Sequence, residues 1–245
     1  MRNVYIRFYE ELNDFLPVDK RKTRLQHSFI GRVSVKDLIE SFGVPHIEID
    51  LILVNSEPVG FNYIVNDNDD ISVYPVFESF DIKEIQHLRP QPLREPKFIL
   101  DVQLGQLAKY MRMSGFDSSY KSTYNKNEII NHSVNERRTI LTKDRNLLKR
   151  NEVTHGYWIR HSEVIDQLKE VIGRFQLNNQ IQAFSRCLIC NSMLQKIEKE
   201  NIIERLEENT RNLFNEFYIC PTCSRVYWKG SHYNKMIDII KEISI

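Results

Sequence analysis

The sequence predicts an α/β protein in three parts: a small sheet with one helix, a parallel strand–helix domain, and a four-cysteine metal module. Three observations carry this prediction. In the first 80 residues, apolar strand runs bracket a single helical pattern. From residue 97 to 180, strand and helix patterns alternate, as in a parallel sheet covered by helices. Every cysteine lies in one of two knuckles, Cys187-Leu-Ile-Cys190 and Cys220-Pro-Thr-Cys223, separated by 29 residues.

Val4–Tyr9 alternates as a strand, and a second strand is expected over Arg24–Phe29. Ser34 is a good N-cap for a helix over Val35–Phe42, which stops at Gly43 before Pro45. Leu51–Val54 is a buried-strand run, and the turn at Asn66–Asp70 leads into a strand over Ile71–Phe77. Two strands, a helix and further strands give the order of a ubiquitin-like β-grasp over residues 1–80. Pro90, Pro92 and Pro96 mark residues 81–96 as a linker or strap.

Beyond the linker, Lys97–Asp101 is a strand with an acid at its end. Leu104, Leu107, Ala108 and Met111 then recur at helical spacing up to Gly115. A strand near Ser118–Lys121, a helix over Asn127–Asn135, the strand Thr139–Thr142 and a helical turn at Leu147–Leu148 follow. Tyr157–Arg160 is the last strand of the domain, and Ser162 is expected to cap a helix reaching Phe175. Residues 181–245 form the cysteine module.

Two Cys-x-x-Cys units match a tetrahedral four-thiolate Zn²⁺ site. Four buried thiols, or two disulfides in a secreted protein, are the alternatives. A closed four-thiolate shell leaves no position for substrate, so this zinc is expected to be structural. The chain begins at once on a strand pattern, which predicts no targeting segment, and no apolar run approaches the roughly 20 residues of a membrane span. Thiolates suit a reducing, cytoplasmic compartment.

Hydrophobic residues at 41% and charged ones at 27% fit an ordinary soluble protein. The net charge of +1 hides a division: residues 1–80 carry −5, residues 81–180 carry +5 and the remainder +1. A basic middle segment attracts a polyanion, although a solvated lysine-rich surface gives the same count.

Ligands of a parallel α/β sheet bind outside the carboxyl ends of its strands. Asp101 and Asp144 both stand there, and Glu128 begins the intervening helix. Such carboxylates hold Mg²⁺ or Mn²⁺, which activates water and stabilises charge on a phosphodiester. An aspartate after a strand also serves simply as the N-cap of the next helix, and a glutamate at a helix start complements the macrodipole. Arg112, Lys143 and Arg145 are candidate phosphate contacts or surface charges.

Phe98-Ile-Leu-Asp101, Leu104-Gly-Gln-Leu-Ala-Lys-Tyr-Met-Arg112, Gly115-Phe-Asp117 and Ile140-Leu-Thr-Lys-Asp144-Arg145 resemble the Mut-seven C-terminal ribonuclease family, of the PIN-like nuclease superfamily. The knuckles, with Val226-Tyr-Trp-Lys-Gly-Ser-His232, resemble its zinc ribbon. Arg7-Phe-Tyr-Glu-Glu-Leu12 and Gly43-Val-Pro-His46 resemble the ubiquitin-like domain that often precedes it. The resemblance implies a three-layer PIN-like domain over residues 97–180. It makes Asp101 and Asp144 metal-binding acids of an endoribonuclease site, with Glu128 assisting and Glu163 or Asp166 as a fourth acid. This family commonly places an acid just upstream of Glu128, where this chain has Asn125, Lys126 and Asn127.

In the ribbon, Tyr218, Tyr227, Trp228 and Tyr233 alternate with Arg186, Arg225, Lys229 and Lys235. Such rings stack on unpaired bases, or else form the small core of the module. Trp228, Lys229 and His232 are the candidate RNA contacts. A non-catalytic RNA-binding adaptor is the competing reading, and a purely protein-interaction module the third. No Gly-Gly follows Tyr74-Pro-Val-Phe77, so the β-grasp is expected to dock a partner rather than carry sulfur.

Overall fold

In a computed structural model, which describes residues 1–75, 96–231 and 233–243, the first strand is β1 (Arg2–Phe8). Its alternation buries Val4, Ile6 and Phe8 and turns Tyr5 and Arg7 outward. Antiparallel β2 (Arg24–Phe29) pairs with it along its length. Ser34 caps α1 (Val35–Ser41), its Oγ accepting from the Asp37 N–H. Gly43, at φ +96°, provides the left-handed turn after the helix. β3 (Ile49–Val54), β4 (Glu57–Pro58) and β5 (Asp70–Pro75) complete a sheet of order β2-β1-β5-β3-β4. β5 lies parallel to β1, as a β-grasp requires. Leu38 and Ile39 of the helix pack into one core with Phe8, Ile52 and Ile71. Each such side chain contributes about 1.5–3 kcal/mol on burial. The expected extension of β5 to Phe77, and most of the expected linker, fall outside the described residues.

The next strand, β6 (Phe98–Leu100), is buried at every position. A single 3₁₀ turn, Val102–Leu104, joins it to α2 (Gly105–Met113). Asp101 caps that turn, its Oδ1 accepting from the Val102 N–H, although no cap was legible there in the sequence. Two further strands, β7 (Ser118–Ser119) and β8 (Thr139–Thr142), flank β6 in parallel, with Leu100 level with Leu141. Between them, α3 (Lys126–Glu136) starts at a capping box. Asn125 Oδ1 accepts from the Glu128 N–H, and Glu128 Oε2 accepts from the Asn125 N–H.

Then come α4 (Arg145–Leu148) and β9 (Gly156–Trp158), followed by α5 (Val164–Arg174). Ser162 does not cap α5. Glu163 takes that position without a side-chain bond, while the Ser162 carbonyl accepts from Gln167 Nε2. A three-stranded antiparallel sheet follows, from β10 (Gln195–Ile197), β11 (Phe217–Ile219) and β12 (Val226–Trp228), with α6 (Glu208–Leu213) between the first two. Its core is Ile202, Leu206 and Phe217, edged by Ile197, Phe214 and Val226. Tyr218, Tyr227, Trp228 and Tyr233 are not among these core residues. The last helix, α7 (Tyr233–Ile243), buries Ile243 and pairs Glu242 with Lys169 of α5 at 2.7 Å.

The described chain divides into two compact units. One holds the N-terminal segment together with Asp144–Trp158. The other holds the residues from Pro96 to Lys143 and those from Ile159 onward. No helix among the described residues is long and apolar enough to cross a membrane.

Candidate metal centre and nuclease site

The two knuckles are built alike. In the first, Asn191 N donates to the Cys187 carbonyl and Cys187 N to the Ser192 carbonyl. In the second, Ser224 N donates to the Cys220 carbonyl and Cys220 N to the Arg225 carbonyl. Asn191 and Ser224 both adopt positive φ, 72° and 58°, which bends each turn so that its two thiols converge. All four Sγ atoms lie within 4.8 Å of one another, with Cys187 to Cys223 at 3.5 Å and Cys190 to Cys220 at 3.3 Å. A tetrahedral zinc with Zn–S of about 2.3 Å places its sulfurs about 3.8 Å apart, so the cluster fits the ion.

Electrostatics point the same way. Burial raises the Cys187 thiol, but the Tyr227 hydroxyl and the N–H groups of Cys190 and Ile189 outweigh it and bring its pKa to about 6. Cys223 moves oppositely, to about 12. A backbone N–H lowers it, but burial and its bonds to Cys220, Cys187 and Cys190 raise it further. All four sulfurs can be thiolates together only with a cation among them.

Asp117 ties the first knuckle to the parallel sheet. It accepts from Arg138 Nη1 and from Asn191 Nδ2, while Asn191 Oδ1 accepts from the Ser118 N–H at the start of β7. Arg186 donates to the carbonyls of Gly115 and Asn191. Arg112 completes the joint: Nε donates to the Ser118 carbonyl, and Nη1 to those of Leu188 and Ile189. At 4% exposure this guanidinium is a strut under the knuckle. The expected role of Arg112 as a phosphate contact is thereby corrected, since its donors face carbonyls.

Burial raises the Asp117 carboxyl, but hydrogen bonds from Arg138 and Asn191 outweigh it and hold its pKa below the usual value. A depressed carboxylate contributes stability that is fully present above its unfolded pKa of about 3.9 and is lost as pH falls through the folded value. The urea midpoint gap between wild type and Asp117→Asn is therefore expected to close as pH falls from about 5 to about 2. A gap that stays constant would remove Asp117 from the acid response.

At the carboxyl end of β6, Asp101 is 8% exposed, and its Oδ2 accepts from the Thr142 hydroxyl at the end of β8 at 2.6 Å. Asp144, two residues past β8, caps α4 through Asn146 N at 2.9 Å. Glu128 is engaged in its capping box, and Lys126 begins the same helix. Among the described residues, the four cysteines are the only group of three or more His, Cys, Asp or Glu arranged to hold a metal. Lys143 is half-buried directly after β8. Arg145 is stacked on Trp158, with its guanidinium carbon 3.8 Å from the ring centroid. Trp228 is 38% exposed, and Lys229 pairs with Glu216 at 2.8 Å. His232 lies outside the described residues.

Residues 96–240 match the family described as the Mut7-C RNAse domain. The chain belongs to this family. Residues 1–81 match the Mut7-C ubiquitin domain, in the same N-to-C order as the folds above. Comparison with curated proteins and with solved structures finds no match. Within this Mut7-C domain, Asp101 is a strand-end acid held by hydrogen bonds to both of its carboxylate oxygens.

Proposed function

We propose that this protein is a metal-dependent endoribonuclease acting at the carboxyl end of β6, with a structural zinc in its ribbon. The observation that carries the reading is the setting of Asp101. It is buried at the end of the central strand of the parallel β7-β6-β8 set, and it is oriented by Val102 N and the Thr142 hydroxyl. In this reading Asp101 and Asp144 hold Mg²⁺ or Mn²⁺ together with a phosphate of the RNA. Glu128 Oε2 is engaged with Asn125, so its assistance falls to Oε1. The bound cation supplies an activated water and neutralises charge on the phosphodiester. The chain's own part is to fix the carboxylates, and Thr142 orients Asp101 by donating to its Oδ2. Lys143 and the exposed face of Trp228 hold the strand, the latter by stacking on an unpaired base. The ubiquitin-like domain is the part available to a protein partner.

The test is cleavage of a mixed RNA pool and of a circular RNA with Mn²⁺, comparing wild type with Asp101→Asn plus Asp144→Asn. Loss of metal-aided charge stabilisation is expected to slow the variant by about 100-fold or more, close to 2.7 kcal/mol of barrier. Cutting of the circle makes the enzyme an endonuclease. Equal rates in the two proteins would sink the proposal. The second reading, a non-catalytic RNA-binding adaptor, is supported by the capping bond on Glu128. It predicts that RNA is retained by both proteins and cut by neither.

A further inference from the structure

The stretch from Asp144 to Trp158 lies inside the residues that match the RNAse domain, yet it forms one unit with the ubiquitin-like fold. Arg145 is the centre of that association. Its guanidinium carbon sits 3.8 Å from the centroid of Trp158 and 5.1 Å from that of Phe15, and the two rings are 4.8 Å apart. Its Nη1 donates to the Phe15 carbonyl at 3.3 Å and its Nη2 to the Asp14 carbonyl at 3.4 Å. Three further bonds distribute the hold along the segment. Lys149 Nζ donates to the Glu40 carbonyl at 3.1 Å, Lys36 Nζ to Asn151 Oδ1 at 2.7 Å, and Trp158 N to Glu48 Oε1 at 2.9 Å.

We propose that the ubiquitin-like domain is a built-in clamp on this segment, and that Arg145 is the positioning residue through which it holds Asp144. Arg145 is the first residue of α4, and Asp144 is the N-cap of that helix. A helix of four residues is too short to fix its own direction, so the stacked guanidinium sets where the cap stands. Arginine suits the task because a planar cation can lie against aromatic rings while its edge donates to carbonyls. The importance of Asp144 rests on the ribonuclease reading, whereas the clamp itself does not.

The test uses the full chain and two variants on opposite sides of the stack. Arg145→Lys keeps the charge and loses the planar fork. Phe15→Leu keeps apolar bulk and loses the ring, 130 residues away in sequence. Amide hydrogen exchange over residues 144–150 is expected to rise by about tenfold in each, with β1, β5 and the knuckles keeping their protection. Cleavage of RNA with Mn²⁺ is expected to show a lower kcat at unchanged KM. Unchanged exchange over 144–150 in folded Phe15→Leu and Arg145→Lys would overturn the clamp. A raised KM with unchanged kcat in Arg145→Lys would make Arg145 an RNA contact and overturn the positioning role. If wild type leaves RNA intact, the ribonuclease reading falls, and the exchange comparison alone decides the clamp.

Discussion

Cys187→Ser is expected to abolish zinc binding and unfold the ribbon. The module has little else to hold it. Its core is three buried side chains, Ile202, Leu206 and Phe217, with a few half-buried neighbours. A core of that size supplies only a few kcal/mol, whereas a structural zinc contributes about 10–16 kcal/mol in isolated finger peptides. Serine offers a hard hydroxyl, which does not ionise near neutral pH, in place of a soft thiolate. The remaining three cysteines would then face the ion with an open position. Metal analysis of the purified variant is expected to show zinc near background, and limited proteolysis to cut between the knuckles. A variant that keeps full zinc and full protease resistance would exclude Cys187 from the site.

Arg112→Ala carries the next largest expectation, because one buried guanidinium serves three carbonyls on two elements. Its removal leaves the buried Ser118 carbonyl, and those of half-buried Leu188 and exposed Ile189, without those partners. Leaving a buried acceptor unsatisfied costs about 1–3 kcal/mol, and the lost packing of the side chain adds to it. Arg112→Lys is expected to recover little of this, since a single ammonium cannot reach β7 from Nε and the knuckle from Nη1 together. Urea unfolding followed by tryptophan emission and far-UV circular dichroism measures both variants. Were Arg112 an RNA contact instead, its loss would leave the midpoint alone and lessen the salt dependence of RNA binding.

The strand–helix order was legible because each element carries its own period. Arg24–Phe29 appears with the expected limits, and β3 begins two residues earlier than expected because the polar Asp50 interrupts an otherwise apolar run. Both knuckles were legible from spacing alone. Arg112 was misjudged by its charge, although it follows Ala108 by four positions and so lies on the buried stripe of α2. The Asn125-x-x-Glu128 pattern likewise encodes the capping box, which explains Glu128 locally. What no local pattern contains is the pairing of Arg145 with Phe15, or of Asn191 with Asp117. These contacts join residues 130 and 74 positions apart, and each partner is an ordinary loop or helix-end residue by itself.

The joint at Asn191 also sets an order of events during synthesis. Ser118 N finds its acceptor 73 residues downstream, and Arg112 finds two of its three acceptors 76 and 77 residues downstream. A chain emerging from the ribosome can fold its ubiquitin-like core early. The edge of the parallel sheet, however, stays unfinished until the first knuckle has left the exit tunnel. A message cut short before Asn191 would yield a sheet with an open edge strand and an orphaned buried arginine, the kind of product that quality control removes.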